Sequence, residues 1–330
     1  MLRVSALLLV GVSADVQQEW KDFKTKYGKQ YNGIDEEGER AAIFSKNYEY
    51  IVNTNAQNLT YKVGVNQFSD LTADEVAAQY TGLKPENMWA DLPHLGTMTY
   101  SGKVLADSVD WTTQGAVTPV KNQGQCGSCW SFSTTGSLEG AWKIAGNSLT
   151  SLSEQQFVDC DKVSDQGCNG GLMDNAFKFA EKNAICTEAS YPYKGRDGTC
   201  ASSSCTVGIP KGDVKGFKDV SASDEQALME AVMLNPVSIA IEADKSAFQS
   251  YRSGVLSSTC GTSLDHGVLA VGYGTDNGVK YWKVKNSWGT TYGEDGYVRL
   301  LRGKGGVGEC GILSQPSYPV VSGSADSIVV

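Results

Sequence analysis

Apolar residues recur at helical spacing near the start of the chain. Val16, Trp20, Phe23 and Tyr27 follow one another at steps of four, three and four residues, as on one face of an amphipathic α-helix. A longer helix is predicted next, because six residues at steps of 4, 4, 3, 4 and 4 share one stripe: Glu36, Arg40, Phe44, Asn47, Ile51 and Asn55. Alternate positions then predict a short extended segment that presents four side chains on one side, namely Gly64, Asn66, Phe68 and Asp70.

Short apolar or alternating runs dominate the end of the chain. Bounded by Gly, Asn and Asp, they predict four strands over residues 237–241, 268–273, 281–284 and 297–301. Upstream, one helix is predicted to begin at Cys129 and another to cover residues 172–180. The fold class is therefore expected to be α+β, with a helical lobe, a β lobe and the functional cleft between them.

The first 14 residues have the features of a signal peptide. Arg3 precedes an apolar run that ends in the small-x-small pattern Val12-Ser13-Ala14. The run is shorter than the roughly 20 residues that a membrane-spanning helix needs. An ordinary apolar N-terminal helix is the alternative. Residues 82–104, rich in Pro and Gly, are expected to form a linker.

Charge and cysteine content limit the partners and the cellular compartment that can be expected. The chain has 28 Lys and Arg against 37 Asp and Glu, a net charge of −9, so a nucleic-acid partner is not expected. All nine cysteines lie between Cys126 and Cys310, which marks a boundary before Cys126. Such a chain is expected in the secretory pathway, where disulfides persist. Asn58 begins the one N-glycosylation sequon, Asn58-Leu59-Thr60.

The pair Cys126 and Cys129 has three interpretations: a redox dithiol, half of a zinc site, or a structural cysteine beside a reactive one. The zinc site is the weakest of the three interpretations. The chain has no second Cys-x-x-Cys, and His266 is the only histidine in the cysteine-rich region. Redox chemistry lacks its usual βαβ context. The third interpretation has a positive argument, because a helix N-terminus and a neighbouring imidazole both favour the thiolate.

A partner for the thiol can be identified. His94 lies in the cysteine-free region, within the predicted linker, so His266 is the candidate imidazole. It stands at the mouth of a predicted strand, and Asn286 begins the run Asn-Ser-Trp-Gly further along. An amide at this place can orient the ring of the histidine.

These residues resemble those of the papain family of cysteine proteases. Gln123, the run Cys126-Gly-Ser-Cys-Trp130, and a His and Asn 137 and 157 residues after Cys129 resemble the family's signature. The stripe that begins at Glu36 and the positions from Gly64 to Asp70 resemble the two cathepsin L-like propeptide motifs. Asp110-Trp111 resembles the start of the mature enzyme.

The resemblance implies a fold and a division of the chain. The fold would be the papain-like two-lobe fold, with a helical left lobe and an antiparallel β-barrel-like right lobe, preceded by a small α-helical propeptide domain. Residues 1–14 would be the signal peptide, 15–104 the inhibitory propeptide and 105–330 the peptidase domain. The propeptide linker would run through the cleft in the reverse direction to substrate.

The resemblance also assigns roles. It makes Cys129 the nucleophile, His266 its base and then acid, and Asn286 the group that orients the ring. Gln123 becomes an oxyanion donor together with the backbone N–H of Cys129. Trp288 would shield the bond between Asn286 and His266, and an ordinary core Trp is the alternative. The thiolate is expected to have a low pKa, as in papain.

Substrate contacts follow from the same resemblance. Gly170 and Gly171 would form the strand on which the substrate backbone docks. Other substrate-binding positions, most of them in an apolar S2 pocket that prefers Leu, Val or Phe at P2, would be Leu172, Met173, Ala240, Leu264, Asp265 and Gly267. Gln315 at the pocket floor implies weak acceptance of Arg at P2, unless its side chain turns to solvent.

Cysteine counting agrees with one nucleophile. Nine minus one leaves eight, enough for four disulfides. The family pattern implies three of them, Cys126–Cys168, Cys160–Cys200 and Cys260–Cys310. The two cysteines left over, Cys186 and Cys205, are predicted to form the fourth.

The implied partners are protein and peptide substrates, the chain's own propeptide and cystatin-like inhibitors. No metal, cofactor or membrane is expected, and the enzyme is expected to be a monomeric endopeptidase of the lysosome, the vacuole or the extracellular space. Two alternatives stay open. A thiol–disulfide oxidoreductase would need a free Cys126, and a catalytically silent binding or storage relative would be expected to lack Cys129 or His266.

Overall fold

The computed structural model describes residues 4–84, 94–163, 165–257 and 260–325, with side chains from residue 15 onward. The helices are α1 (Val4–Tyr27), α2 (Ile34–Asn55), α3 (Ala73–Tyr80), α4 (Cys129–Ile144), α5 (Glu154–Cys160), α6 (Met173–Lys182), α7 (Glu225–Leu234) and α8 (Ser246–Gln249). The side chains of the predicted signal peptide lie outside the described part. Within that part, none of the helices has the length and apolar character needed to cross a membrane.

The strands confirm the β-rich second half. They are β1 (Tyr61–Val63), β2 (Thr97–Met98), β3 (Val109–Asp110), β4 (Ile185–Cys186), β5 (Val207–Ile209), β6 (Val214–Val220), β7 (Val237–Ile241), β8 (Tyr251–Leu256), β9 (His266–Asp276), β10 (Val279–Lys285), β11 (Tyr297–Leu301) and β12 (Ser317–Val321). Each of the four predicted strands lies in one of these elements, β7, β9, β10 or β11.

The two predicted N-terminal helices are α1 and α2, and aromatic side chains join them. The ring of Phe44 lies 5.2 Å from that of Trp20 and 4.9 Å from that of Phe23. Phe23 and Phe44 are both buried. Such ring pairs stabilise packing beyond the area that they bury, so these helices form a small core of their own.

The extended segment predicted over residues 64–70 is wrong. Strand β1 ends at Val63, and residues 67–70 form a turn. Asn66 Oδ1 accepts a hydrogen bond from the Phe68 N–H, and the Asn66 N–H donates to Ser69 Oγ, each at 3.0 Å. Local bonds of this kind compete with a strand ladder, so the four side chains do not share one side.

The main sheet has the order β1-β8-β11-β10-β9-β7-β12-β6-β2, with β3 on β9. Most neighbours are antiparallel, but β8 with β11 and β2 with β6 are parallel. The N-terminal region supplies β1 at one edge and β2 at the other. Part of the predicted linker is therefore a strand, while its residues 85–93 lie outside the described residues.

Two buried apolar clusters correspond to the two lobes. One includes Phe157 and Phe177 beside α4 and α6, and the other includes Val268 and Trp282 on the sheet. Helix α4 is buried from Cys129 to Ala141. Its first residue is thereby held at the junction between the lobes, where the sequence predicts the cleft.

All four predicted disulfides are present: Cys126–Cys168, Cys160–Cys200, Cys186–Cys205 and Cys260–Cys310. Cys129 is the free cysteine. Cys126 is therefore bonded elsewhere and cannot act with Cys129 as a redox dithiol, which removes the structural basis of the oxidoreductase alternative.

Candidate active site

The thiol of Cys129 stands at the first residue of α4 and is completely buried. Its Sγ accepts a hydrogen bond from the Gly267 N–H at 3.3 Å. Because Gly267 directly follows His266, this contact brings the start of the helix against the start of β9. The two segments are 138 residues apart in the sequence.

His266 is held by an amide and covered by an indole. Its Nε2 lies 2.8 Å from Asn286 Oδ1, and Trp288 stacks on the imidazole with ring centroids 4.9 Å apart. All three side chains are buried. Since an amide oxygen can only accept, the hydrogen of the neutral ring lies on Nε2. Nδ1, which has no partner among the described residues, is then left as an acceptor.

The ionisation of this pair differs from the sequence-based expectation. Burial raises the pKa of the Cys129 thiol to about 12 and outweighs the opposing hydrogen bond from the Gly267 N–H. Burial likewise lowers the pKa of His266 to about 4. In this covered state desolvation disfavours both charged forms, and the low thiol pKa expected of the open enzyme stays a prediction. Thiol and imidazole are both neutral near pH 7.

Gln123 presents its amide to the same place. Its Nε2 donates to the carbonyl of Tyr80 at 3.1 Å, and its Oε1 accepts from Ser287 Oγ at 2.6 Å. The indole Nε1 of Trp288 donates to the same Tyr80 carbonyl at 3.0 Å. Two donors thus converge on one carbonyl oxygen of the N-terminal region. No sequence pattern pointed to Tyr80, because this contact depends on the docking of α3.

Residues 82–84 lie in the cleft as an extended peptide. The N–H groups of Gly82 and Leu83 both donate to the carbonyl of Asp265, at 3.1 and 3.0 Å. The Gly171 N–H donates to the Gly82 carbonyl at 3.0 Å, and the Lys84 N–H donates to the Gly171 carbonyl at 3.2 Å. Leu83 and Gly171 form a parallel bridge. The expected linker through the cleft therefore begins with this segment.

Neighbouring atoms come so close to the backbone at Gly170 and Gly267 that these positions must be glycine. A Cβ on Gly170 would lie 2.6 Å from the Gly82 carbonyl oxygen, so a side chain there would block the segment. A Cβ on Gly267 would lie 2.9 Å from Met173 Sδ. Both positions need the absence of a side chain.

The expected apolar pocket is filled by a side chain of the N-terminal region. Leu83 is buried in one cluster with Leu172, Met173 and Ala240, and Leu264 packs against that cluster. Gln315 is partly buried, and its Oε1 is buried without a hydrogen-bond partner among the described residues. The alternative in which the amide oxygen turns to solvent does not hold.

The residues of the predicted α2 stripe tie the N-terminal region together. Arg40 pairs with Glu75 at 2.8 Å, and Asn47 Nδ2 donates to the carbonyls of Ser69 and Leu71. Asn55 Nδ2 donates to the Val63 carbonyl at 2.8 Å. Of the remaining three residues, Phe44 and Ile51 are buried. Glu36 accepts a hydrogen bond from the Asn32 N–H.

The turn that follows joins this region to the rest of the protein. Phe68 packs edge-on against Trp288 at 5.1 Å, and Asn66 Nδ2 donates to the Gln249 carbonyl at 2.6 Å. Asp70 pairs with Lys29 at 2.7 Å within the N-terminal region. At Gly64 a Cβ would meet the side chain of Arg252 at 3.2 Å. Asn58 is exposed.

Comparison with known proteins agrees over nearly the whole chain. A family model described as papain family cysteine protease matches residues 105–320, and one described as cathepsin propeptide inhibitor domain (I29) matches residues 20–76. Cysteine proteinase RD21A of Arabidopsis thaliana is 45% identical over 314 residues, which cover 94% of this chain and 68% of the relative.

Solved proenzymes share the fold. A recombinant stem bromelain precursor has a TM-score of 0.86 at 38% identity, covering 93% of this chain and 99% of its own. Digestive procathepsin L 3 of Tenebrio molitor larval midgut has a TM-score of 0.82 at 40% identity, with coverage of 93% and 99%. The papain-like two-lobe fold with a propeptide is thereby confirmed. The chain belongs to the papain family of cysteine proteases, as a cysteine-type peptidase made as a proenzyme with an I29 propeptide.

Proposed function

We propose that the chain is the zymogen of an endopeptidase that cleaves peptide bonds through Cys129, His266 and Asn286. The observation that carries the proposal is the buried arrangement in which Asn286 fixes one ring nitrogen of His266 at 2.8 Å. The other nitrogen has no hydrogen-bond partner among the described residues, and the one cysteine outside the disulfides, Cys129, accepts from the N–H of the next residue, Gly267. This is the geometry of a nucleophile with an oriented base.

The steps follow from these groups. Once the cleft opens, water lowers the cost of separating charge, and the thiol proton passes to His266 Nδ1. The thiolate attacks the peptide carbonyl carbon and forms a C–S bond. As the C–N bond breaks, the imidazolium gives its proton to the leaving amine. Water, deprotonated by His266, then attacks the thioester, releases the acid and restores the thiol.

The oxyanion formed in each step needs donors. Gln123 Nε2 is already aimed at a carbonyl oxygen, that of Tyr80, and Ser287 fixes its amide. The backbone N–H of Cys129 at the start of α4 would supply the second donor. A preorganised donor of this kind is worth more in a transition state than in water.

Replacing Gln123 with alanine is expected to lower kcat by about 10²–10³-fold and to change KM little, because an oxyanion donor acts mainly in the transition state. The measurement is steady-state hydrolysis by enzyme activated from the full chain. Gln125→Ala, the same substitution at an exposed position two residues away, is the control. Equal kcat values for both variants would remove Gln123 from the mechanism.

Leu83 indicates how a substrate side chain binds. We propose that residues 170–172, here named the docking strand, bind the substrate backbone through Gly171, which here pairs with Gly82 and Lys84. The pocket that holds Leu83 would accept the P2 side chain. The propeptide would run opposite to the substrate. The neutral side chain of Gln315, whose Oε1 has no hydrogen-bond partner among the described residues, would allow Arg to bind weakly at P2.

A panel of peptides that differ only at P2 tests the proposal. Leu, Phe and Val should give kcat/KM values about 10²-fold or more above Asp, because an apolar pocket does not compensate a buried charge. Arg should lie between them. A thiol-directed epoxide should stop all cleavage. Cleavage that resists the epoxide, or that is fastest with Asp, would contradict the proposal.

The remaining assignments are proposals of the same kind. The propeptide would act as an intramolecular inhibitor, and cystatin-like proteins would compete for the same cleft. The enzyme would act as a monomer without a metal. Cleavage would occur after residue 14 and near residue 105, and Asn58 would be open to glycosylation. Four disulfides support a destination in the secretory pathway, in a lysosome, a vacuole or outside the cell.

A further inference from the structure

Two buried carboxyl groups lie beneath the docking strand, and the mechanism above does not use them. Asp161 and Asp165 are each only 4% exposed. They belong to the loop that leads from the end of α5, at Cys160, to Cys168. Buried carboxylates require compensation, so their contacts call for an explanation.

Asp165 holds the docking strand from below. Its Oδ1 accepts hydrogen bonds from the Leu172 N–H at 2.9 Å and from Asn175 Nδ2 at 3.0 Å. A Cβ on Gly171 would lie 2.7 Å from Asp165 Cγ, so the carboxyl group packs directly against the Gly171 backbone. Gly171 is the residue that exchanges hydrogen bonds with Gly82 and Lys84.

The second oxygen of each group is buried without a partner. The Oδ2 atoms of Asp161 and Asp165 lack any donor among the described residues, and the pKa of each group responds to the other group. Two ionised carboxylates can only accept. One shared proton turns these two orphan acceptors into a hydrogen bond, and nothing else in their contacts does so.

The surroundings do not neutralise a second charge. The Asp161 carboxyl feels the charge of Lys162. That ammonium group lies at the surface and pairs with Asp197 at 3.3 Å. Asp165 faces the amide of Asn175 and the Leu172 N–H. Ionisation of both groups would therefore place two negative charges in contact.

We propose that Asp165, hydrogen-bonded to Asp161 through one shared proton, is a positioning residue that fixes the docking strand for substrate binding. Its role rests on the proposed function, because the docking strand has its meaning only if peptides pair with it. When the proton is lost, repulsion separates the two groups. The Leu172 N–H then loses its fixed acceptor, and Gly171 loses the support beneath it.

The direction of the pH effect follows from burial. Burial raises the pKa of Asp161 to about 6 and that of Asp165 well above its ordinary value. A group whose pKa is raised in the folded state stabilises that state below its unfolded pKa, and the contribution is lost as the pH rises through the folded value. Asp161 ionises first, near pH 6, which leaves one proton on the pair, and the pair fails only as the pH rises through the raised pKa of Asp165.

The test uses enzyme activated from the full chain and a peptide with Leu at P2. For the wild type, KM should stay level up to about pH 6 and should rise about tenfold by pH 9, as the shared proton of the pair is lost. In Asp161→Asn or Asp165→Asn, an amide hydrogen replaces the shared proton. KM should then stay within about twofold across this range, with kcat at pH 5 equal to that of the wild type.

Two further variants separate positioning from general stability. Asp295→Asn removes an exposed acidic group in another part of the chain, and it should keep the wild-type KM profile. Asp165→Ala should raise KM at both pH values, because the Leu172 N–H loses its acceptor at any pH. Melting temperatures at each pH show that the variants are folded.

The outcomes distinguish the two proposals. If the wild type hydrolyses peptide but both Asn variants keep its KM profile, the carboxyl pair has no positioning role while the proposed function stands. A change confined to kcat would overturn the inference as well. If the wild type hydrolyses no peptide at pH 5, the proposed function fails, and the inference fails with it.

Discussion

Replacing Cys129 with alanine is expected to abolish peptide hydrolysis and to leave the fold intact. The other eight cysteines are all in disulfides, so no other thiol can take over the attack. Removal of the nucleophile in a protease of this general type lowers kcat by about 10⁶-fold. The measurement is hydrolysis of a Leu-containing peptide after acid treatment of the full chain.

A control shows that the variant is folded. Wild-type enzyme added in trans should remove the propeptide of the Cys129→Ala chain at the normal site, because α4 is buried from Cys129 to Ala141 and the substitution removes one sulfur. The product should remain inactive. A variant that keeps more than about 1% of the wild-type rate would show that another group performs the attack.

Replacing Gly82 with alanine is expected to open the zymogen. A Cβ at this position would lie 2.1 Å from the Gly127 carbonyl oxygen and 2.4 Å from its carbon. These are backbone atoms beside the disulfide of Cys126, and they cannot move aside cheaply. Gly82 is not among the residues with positive φ, so alanine causes no strain in the undocked segment and only docking is penalised.

The loss would be large because several contacts depend on this position. A displaced segment gives up the bonds of Gly82 and Leu83 to the Asp265 carbonyl and the burial of Leu83. Hydrogen bonds contribute about 1 kcal/mol each and a buried Leu about 1.5–3 kcal/mol. We expect Cys129 of the intact zymogen to react with a thiol-directed epoxide about 10²–10³-fold faster at pH 7.

Gly38→Ala is the matched control, since Gly38 lies in α2 and has no atom within 4 Å of an added Cβ. It should leave the labelling rate unchanged. Labelling is followed by intact mass over time. If Gly82→Ala is labelled as slowly as the control, the segment through residues 82–84 is not what shields the thiol.

Periodic patterns predicted the regular elements well. The stripe from Glu36 to Asn55 lies on α2, where one face carries the buried Phe44 and Ile51. The apolar run over 237–241 is β7, which is buried at every residue. The prediction of an extended segment from Gly64 to Asp70 was wrong. Alternation alone does not show that Asn66 will bond to the backbone of its own turn, which is a local competition with the strand.

The sequence sufficed to identify the residues of the candidate site, but not the protonation of its thiol. Cys129, His266, Asn286 and Gln123 were found from motif and resemblance, and the structure brings them together. The neutral thiol was missed, because the rule for helix N-termini concerns an exposed group, whereas Cys129 is covered by a segment that lies near residue 82 in the sequence. Asp161 and Asp165 match no sequence motif, so their interaction could be recognised only in the folded structure.

We propose that this chain is a self-activating zymogen whose single reactive thiol is Cys129. Intact mass of the secreted protein, before and after mild acidification and with and without a thiol-directed epoxide, tests this beside Cys129→Ala. We expect the loss of about the first hundred residues and one adduct on Cys129, both absent from the variant. An unlabelled protein in which Cys126 and Cys129 are joined to each other would contradict it.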